Sequence, residues 1–74
     1  MLEVVTMKEI DAIFGVTDGL GIHREALVIP LGPESPGRVR KLPSGKFEIT
    51  VEAERPFDEW LNELPALIAA AQRT

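Results

Sequence analysis

The sequence contains no cysteine and a single histidine, His23. A disulfide framework, a thiolate metal site and a cluster of histidine ligands are therefore excluded. No apolar run approaches the roughly 18 residues that a membrane-spanning helix requires, so no membrane association is expected. With 45% hydrophobic and 27% charged residues among 74, the composition is typical of one small folded domain.

Acidic residues outnumber basic ones, which gives a formal net charge of −4 and a pI near 4.8. This balance argues against a protein whose main task is to neutralise phosphates, because such proteins are usually basic. Nucleic acid is therefore not an expected partner of the chain as a whole. We expect a cytoplasmic location, although a chain without cysteine fits either redox compartment.

The small size of the domain predicts self-association. A domain of this length buries a modest part of its surface, and the apolar free energy barely exceeds the loss of conformational entropy. Because the chain has no disulfide or thiolate-bound metal to add stability, oligomerisation is the common remedy that is left. We predict a homo-oligomer, with a dimer favoured.

The first third of the chain predicts a short helix. Thr6 and Glu9 have the spacing of a capping box, in which the threonine hydroxyl accepts from the third helical amide and the glutamate carboxylate accepts from the amide of Thr6, the cap residue. An apolar face follows at helical spacing, formed by Met7, Ile10, Ile13 and Phe14. The pattern predicts a helix over residues 7–14 that ends at Gly15 in a left-handed conformation.

The middle of the chain predicts a buried strand. Residues 26–29 form a continuous β-favouring apolar run that ends at Pro30. Such a run is typical of a strand covered on both faces, and we predict that it is the most buried strand of the domain. Residues 32–37 are rich in glycine and proline and predict a connector.

A β-hairpin is predicted in more detail over residues 38–53. A three-residue loop at 43–45, with Gly45 in the left-handed position, sets the pairing of the two strands. The resulting register places Val39 opposite Ile49 and Arg40 opposite Glu48. The second strand then alternates between a core face and a solvent face, with Glu48, Glu52 and Glu54 on the solvent face.

The last part of the chain predicts an amphipathic helix that starts at Pro56, because proline suits the first helical position. Large apolar residues recur at steps of three and four, as in a helix packed on a sheet. Pro65 predicts a kink or a break, since it lacks one amide donor. The fold class is therefore α+β: a short N-terminal helix, a small sheet of three or four strands, and a C-terminal helix.

Two groups of residues are candidates for binding. The C-terminal helix offers an apolar candidate interface, for which Trp60 would be an aromatic anchor, although core packing is the favoured role of that tryptophan. Its members are Phe57, Trp60, Leu64, Leu67 and Ile68. The first hairpin strand offers a weaker basic patch, formed by Arg38, Arg40 and Lys41, which keeps nucleic-acid binding as an alternative.

One histidine remains as a candidate for chemistry. His23 has Arg24 and Glu25 beside it and follows a glycine-containing loop, but no serine or cysteine nucleophile motif accompanies it. A surface or strand-edge histidine is the favoured interpretation. No catalytic residue, cofactor or metal site is predicted.

The segment GRVRKLPSGKFEITVEAERPFDEWLNELPALIAAA, residues 37–71, resembles the region around the active-site helix of small zincin-type metallopeptidases. That family carries H-E-x-x-H on the helix, where two histidines bind zinc and the glutamate activates water. At the corresponding positions this chain has Asn62, Glu63 and Ala66, so only the glutamate matches. The resemblance implies a related scaffold, and the loss of both histidines excludes zinc hydrolysis by that mechanism.

These observations favour a non-catalytic interaction or assembly protein that acts through self-association and contacts with protein partners. A catalytically degenerate, zincin-like hydrolase scaffold using Glu63 or His23 is one alternative. Nucleic-acid binding through the basic strand Arg38–Lys41 is another. Neither alternative has a complete set of the residues that its chemistry needs.

Overall fold

The computed structural model describes residues 2–73 and has the α+β architecture that the sequence predicts. The C-terminal helix packs on a three-stranded sheet and against the N-terminal helix, and a 3-10 turn precedes the first strand. In chain order the elements are helix α1 (Met7–Gly19), the turn (Arg24–Ala26), strands β1 (Leu27–Val28), β2 (Arg38–Lys41) and β3 (Phe47–Thr50), and helix α2 (Phe57–Gln72).

The strand order is β1-β3-β2, with β1 parallel and β2 antiparallel to β3. The prediction that residues 26–29 form the most buried strand is wrong. Only Leu27 and Val28 pair, they form an edge strand, and Val28 is 36% exposed. An apolar run indicates that a segment packs against a core, but the position of a strand in the sheet depends on its partners. The central strand is β3, because it pairs with β1 on one side and with β2 on the other.

The hairpin and its register are confirmed, but the second strand ends at Thr50 and does not continue to residue 53 as predicted. Val39 lies opposite Ile49, and Arg40 lies opposite Glu48. Gly45 has a φ of 90°, and its amide donates to the carbonyl of Leu42 at 2.9 Å. Because this turn chemistry is local, the loop alone determines which residues of β2 and β3 face each other.

Helix α2 supplies much of the core. Its apolar stripe packs on the inward-facing residues of the sheet and on α1. The opposite face of the sheet is uncovered around Arg40, whose side chain is exposed. The most buried apolar side chains, all at most 3% exposed, are Val5, Ile13, Ile49, Val51, Trp60, Leu64 and Ile68.

Helix α2 runs without interruption through Pro65. The predicted alternative of a helix broken at this residue is therefore wrong, and Pro56 is the cap that precedes the first helical residue. Pro65 lies on the exposed face. The proline ring therefore lies outside the buried stripe of α2 and leaves its packing on the core intact.

Helix α1 is longer than predicted and continues through Gly15 to Gly19. Gly15 does not have a positive φ, so the predicted left-handed cap at this position is wrong. The apolar spacing continues after Gly15 with Val16, and Thr17 is fully buried. Tertiary packing therefore outweighs the weak helix propensity of one glycine.

This difference can be tested with the substitution Gly15→Ala. The position is helical, and an added Cβ would meet no heavy atom within 4 Å. We expect the free energy of unfolding to rise by about 0.5–1 kcal/mol, because alanine is the better helix former. Urea denaturation followed by circular dichroism measures the change. A destabilised variant would instead support the shorter helix with a left-handed Gly15.

Candidate functional site

The N-terminal segment is anchored to the domain by two backbone hydrogen bonds. The amide of Leu2 donates to the carbonyl of Ala53 at 2.8 Å, and the amide of Val5 donates to the carbonyl of Leu31 at 2.9 Å. Val5 is 3% exposed and belongs to the core. The backbone leading into α1 is thereby held against two segments, the one that follows β1 and the one that follows β3.

The predicted capping contact completes this anchor. The Glu9 carboxylate accepts from the Thr6 amide at 2.8 Å and from the Thr6 hydroxyl at 2.6 Å. These bonds, the one from the hydroxyl most of all, lower the pKa of Glu9. The start of α1 therefore has a defined position relative to the segment before it.

Three large apolar side chains are exposed around this anchor. Val4 is 53% exposed, Met7 is 62% exposed and Leu31 is 58% exposed. The hydrogen bond between Val5 and Leu31 brings the two segments that carry them side by side. We call Val4, Met7 and Leu31 the N-terminal apolar surface.

The sequence pattern did not identify this surface. Its helical spacing predicts that Met7 lies on the apolar face of α1, but Met7 is the first helical residue and is mostly exposed. Leu31 follows Pro30 in a short irregular segment that has no periodicity to interpret. The only available signal was the apolar pair of Val4 and Met7 between Glu3 and Lys8.

A shallow cleft of about 500 Å³ lies at the end of α1. Arg24 crosses it, donates to Asp18 at 2.9 Å and lies 4.6 Å from the ring centre of Phe14. His23 lines the cleft and is exposed, as the sequence predicts. Arg24 is therefore already engaged by an acid and an aromatic ring, and its exposed ion pair with Asp18 is of a kind that contributes little to stability.

Glu52 is only 1% exposed, so the prediction that it lies on the solvent face is wrong. Strand β3 ends at Thr50, and the connector around residues 34–37 covers the continuing chain. The Glu52 carboxylate accepts four hydrogen bonds. Their donors and distances are the Ser35 hydroxyl (2.6 Å) and the amides of Gly37 (2.9 Å), Glu54 (3.1 Å) and Arg55 (3.3 Å).

These four donors explain the acidity of Glu52. The hydrogen bond from Ser35 contributes most, followed by the amide of Gly37, and together the donors lower the pKa of Glu52 to about 2. Bound in this way, the carboxylate joins the connector to the turn before α2. Since these four donors belong to the chain itself, Glu52 links separate segments of the fold.

Gly37 lies against this cluster with no space for a side chain. A Cβ at this position would be 2.6 Å from the amide nitrogen of Glu52 and 2.8 Å from Nε1 of Trp60. That indole nitrogen is buried and has no hydrogen-bond partner in the part of the chain that the structure describes. The close approach of backbone and indole explains why glycine occupies this position.

The predicted apolar interface on α2 belongs largely to the core. Trp60, Leu64 and Ile68 are 1%, 0% and 2% exposed, and Phe57 and Leu67 are half-buried. A partner could reach the first three only if the helix left the sheet. The favoured role of Trp60, core packing, is the one observed, and α2 does not present these side chains as a docking surface.

The basic strand is neutralised by neighbouring acids. Arg38 contacts Glu34 at 3.4 Å, and Arg40 contacts Glu48 at 2.7 Å. Lys41 is exposed at the end of β2. A phosphate would have to compete with these carboxylates for Arg38 and Arg40.

The positions that resemble a zinc-binding helix lie on the exposed side of α2. Asn62 and Ala66 are exposed, and Glu63 forms an ion pair with Arg55 that lowers the pKa of Glu63. Within residues 2–73, no group of three or more histidine, cysteine or acidic side chains is arranged to hold a metal ion.

No family model, curated protein or solved structure matches the chain. Neither helix within residues 2–73 has the length and apolar character needed to cross a membrane.

Proposed function

We propose that this chain is a non-catalytic assembly protein that self-associates through the N-terminal apolar surface. The observation that carries the proposal is the exposure of Val4, Met7 and Leu31, each more than half accessible to solvent, on segments held together by the bond between Val5 and Leu31. Exposed apolar clusters on small soluble domains commonly mark protein contacts.

The size of the domain supports the same function. A 74-residue chain has a small core, and burying three exposed apolar side chains against a second copy adds apolar free energy that the single chain lacks. A cytoplasmic location is part of the proposal. A second copy is the partner we assign to this surface, and other protein partners would have to compete for it.

The experiment compares two leucines of similar exposure. Leu31 belongs to the N-terminal apolar surface, whereas Leu20, which is 47% exposed, lies at the end of α1. Sedimentation velocity over a wide range of concentrations should show a dimer for the parent chain. We expect Leu31→Ser to weaken association at least tenfold and Leu20→Ser to leave it unchanged, because about 1.4 kcal/mol corresponds to a factor of ten.

Both substitutions replace exposed side chains, so the folded state should tolerate them. Fluorescence of Trp60, the single tryptophan, and circular dichroism verify that each variant is folded. A parent chain that stays monomeric at every concentration would refute the proposal. Equal weakening by both substitutions would show that the surface is wrongly assigned.

A further inference from the structure

Strand β2 lies at one edge of the sheet, because within residues 2–73 it pairs with β3 and with no other strand. The opposite edge is β1, which pairs over two residues, whereas β2 pairs over four. Three residues of β2, Arg38, Arg40 and Lys41, are exposed. An edge of this kind presents backbone donors and acceptors to which another extended chain can bond.

The register of the hairpin shows which backbone groups of β2 face away from β3. In an antiparallel pair, hydrogen-bonded positions alternate with positions whose amide and carbonyl point outward. The amide of Leu42 donates to the carbonyl of Lys46 at 2.8 Å, which makes Arg40 the next bonded position. Val39 and Lys41 therefore direct their amides and carbonyls outward.

These outward groups have no partner from elsewhere in the chain. Within residues 2–73, no backbone hydrogen bond from another segment reaches Val39 or Lys41. Two amides and two carbonyls, spaced as in a β-strand, are thereby open to an added strand. A ligand that fills this edge needs alternating donors and acceptors at the same spacing, which is what an extended peptide has.

The side chains of the edge favour an acidic occupant. Besides Val39, β2 contains only basic residues. The side chains of Arg38 and Arg40 are 51% and 62% exposed although each contacts one carboxylate, and a guanidinium has five N–H donors, so it can bond to a second acid. Within the part of the chain that the structure describes, Lys41 forms no ion pair.

Two other occupants fit the edge less well. A second copy of β2 would place basic residues beside basic residues, and like charges on paired strands are destabilising. A nucleic acid would meet the same basic side chains, but phosphate oxygens are acceptors and cannot bond to the outward carbonyls of Val39 and Lys41. A peptide backbone satisfies both the amides and the carbonyls.

We infer that the open edge of β2 binds an extended acidic peptide of a partner protein, which adds a fourth strand to the sheet. The peptide carries an apolar residue opposite Val39 and acids opposite Arg40 and Lys41. Backbone bonds to Val39 and Lys41 supply the affinity, and the charges supply selectivity. This interaction goes beyond the self-association proposed above and uses different residues.

The experiment titrates the full chain, labelled with ¹⁵N, with the end-blocked peptide TEEVET. The peptide TKKVKT is the control, because it has the same length and the opposite charge. Amide chemical shifts measure the affinity and locate the site. We expect the largest shifts at Val39 and Lys41, and an affinity for TEEVET at least about tenfold higher than for TKKVKT.

Substitutions at Lys41 separate backbone pairing from charge. Lys41→Ala keeps the amide and removes the charge, so we expect a roughly threefold loss of affinity, in keeping with one exposed ion pair. Lys41→Pro also removes the outward amide and should lower the affinity at least about tenfold. Proline is tolerated on an edge strand where the missing amide faces solvent.

Lys46→Ala is the matched control for charge. Lys46 is an exposed lysine of the same hairpin that lies outside β2. Its substitution should change the affinity by less than about twofold, because screening by salt weakens the effect of a charge that does not contact the peptide. Circular dichroism verifies that each variant is folded. If Lys41→Pro does not fold, a TEEVET peptide methylated on alternate amide nitrogens tests the backbone bonds with the parent chain.

Three results would overturn the inference. They are equal binding of TEEVET and TKKVKT, equal affinity of Lys41→Pro and Lys41→Ala, and displacement of TEEVET by a thymidine oligonucleotide, which would assign the edge to nucleic acid. Leu31→Ser should bind TEEVET as the parent chain does. A chain that binds the peptide but stays monomeric would therefore refute self-association alone.

Discussion

Substitution of Gly37 by alanine is expected to lower the free energy of unfolding by about 2–3 kcal/mol. The new Cβ would lie 2.6 Å from the amide nitrogen of Glu52, 2.9 Å from its Cα and 2.8 Å from Nε1 of Trp60. The backbone sets the position of a Cβ, so no change of rotamer relieves these contacts. Relief would require moving either the chain after β3 or the buried indole of α2.

The measurement is urea denaturation followed by Trp60 fluorescence. For a domain of this size, the same loss corresponds to a thermal midpoint roughly 10–20 °C lower. Gly32→Ala is the matched control in the same connector, because no heavy atom lies within 4 Å of an added Cβ. Its free energy of unfolding should change by less than about 0.5 kcal/mol. Equal effects of the two substitutions would contradict the close approach at Gly37.

Glu52→Gln is expected to destabilise the domain more than neutralising any other acidic side chain among residues 2–73. The carboxylate accepts from one hydroxyl and three backbone amides. An amide side chain has one acceptor oxygen, and its own NH₂ group would face donors that need an acceptor. Buried donors without a partner are costly, and bonds to a charged acceptor are stronger than neutral ones.

Two further variants calibrate that effect. Ser35→Ala removes one of the four donors and leaves three backbone amides bonded to Glu52. Glu54→Gln changes an exposed neighbouring side chain but keeps the amide that donates to Glu52. We expect the loss of stability, measured as the urea midpoint, to be largest for Glu52→Gln, intermediate for Ser35→Ala and smallest for Glu54→Gln. A Glu52→Gln variant as stable as Glu54→Gln would contradict the structural role of Glu52.

Acid titration of the parent chain extends this test. The pKa of Glu52 falls from an ordinary value of 4.5 to about 2 in the folded chain, so the unfolded chain binds more protons between these values. The contribution of Glu52 is therefore present above pH about 4.5 and is lost as pH falls towards about 2. Glu9 and Glu63 also have lowered pKa values and act in the same direction. Glu52→Gln should flatten the pH dependence of stability without abolishing it.

The stability and association predictions concern separate regions. Glu52, Gly37 and Trp60 join the connector to α2 inside the chain, whereas Val4, Met7 and Leu31 are exposed around the N-terminal segment. Substitutions in the first group should change unfolding, and substitutions in the second should change association. This separation lets each proposal be tested with little interference from the other.

Local chemistry made the hairpin and the start of α1 predictable. Gly45 in a three-residue loop determines the register of β2 and β3, and the spacing of Thr6 and Glu9 predicts the start of α1. The apolar stripe of α2 follows from its periodicity. In each case the residues that decide the structure are close together in the chain, so their interactions can be inferred from spacing.

The candidate surface needed tertiary information. Leu31 becomes important because its carbonyl accepts from Val5, a contact between residues far apart in sequence. Met7 has the spacing of a core residue, but its place at the first turn of α1 leaves it exposed. Spacing indicates which face of a helix a residue occupies. It does not show whether another element extends far enough to cover that residue.

Sequence pattern was therefore sufficient for the fold class, the hairpin register and the two helical regions, because local geometry and periodicity govern them. Only the tertiary structure made β1 a parallel edge strand, buried Glu52 among four donors and brought the backbone at Gly37 against Trp60. These features depend on contacts between distant segments. The alternating pattern of a strand predicts that a carboxylate such as Glu52 faces solvent. Whether it is buried instead depends on hydrogen-bond donors from distant segments, which the pattern does not contain.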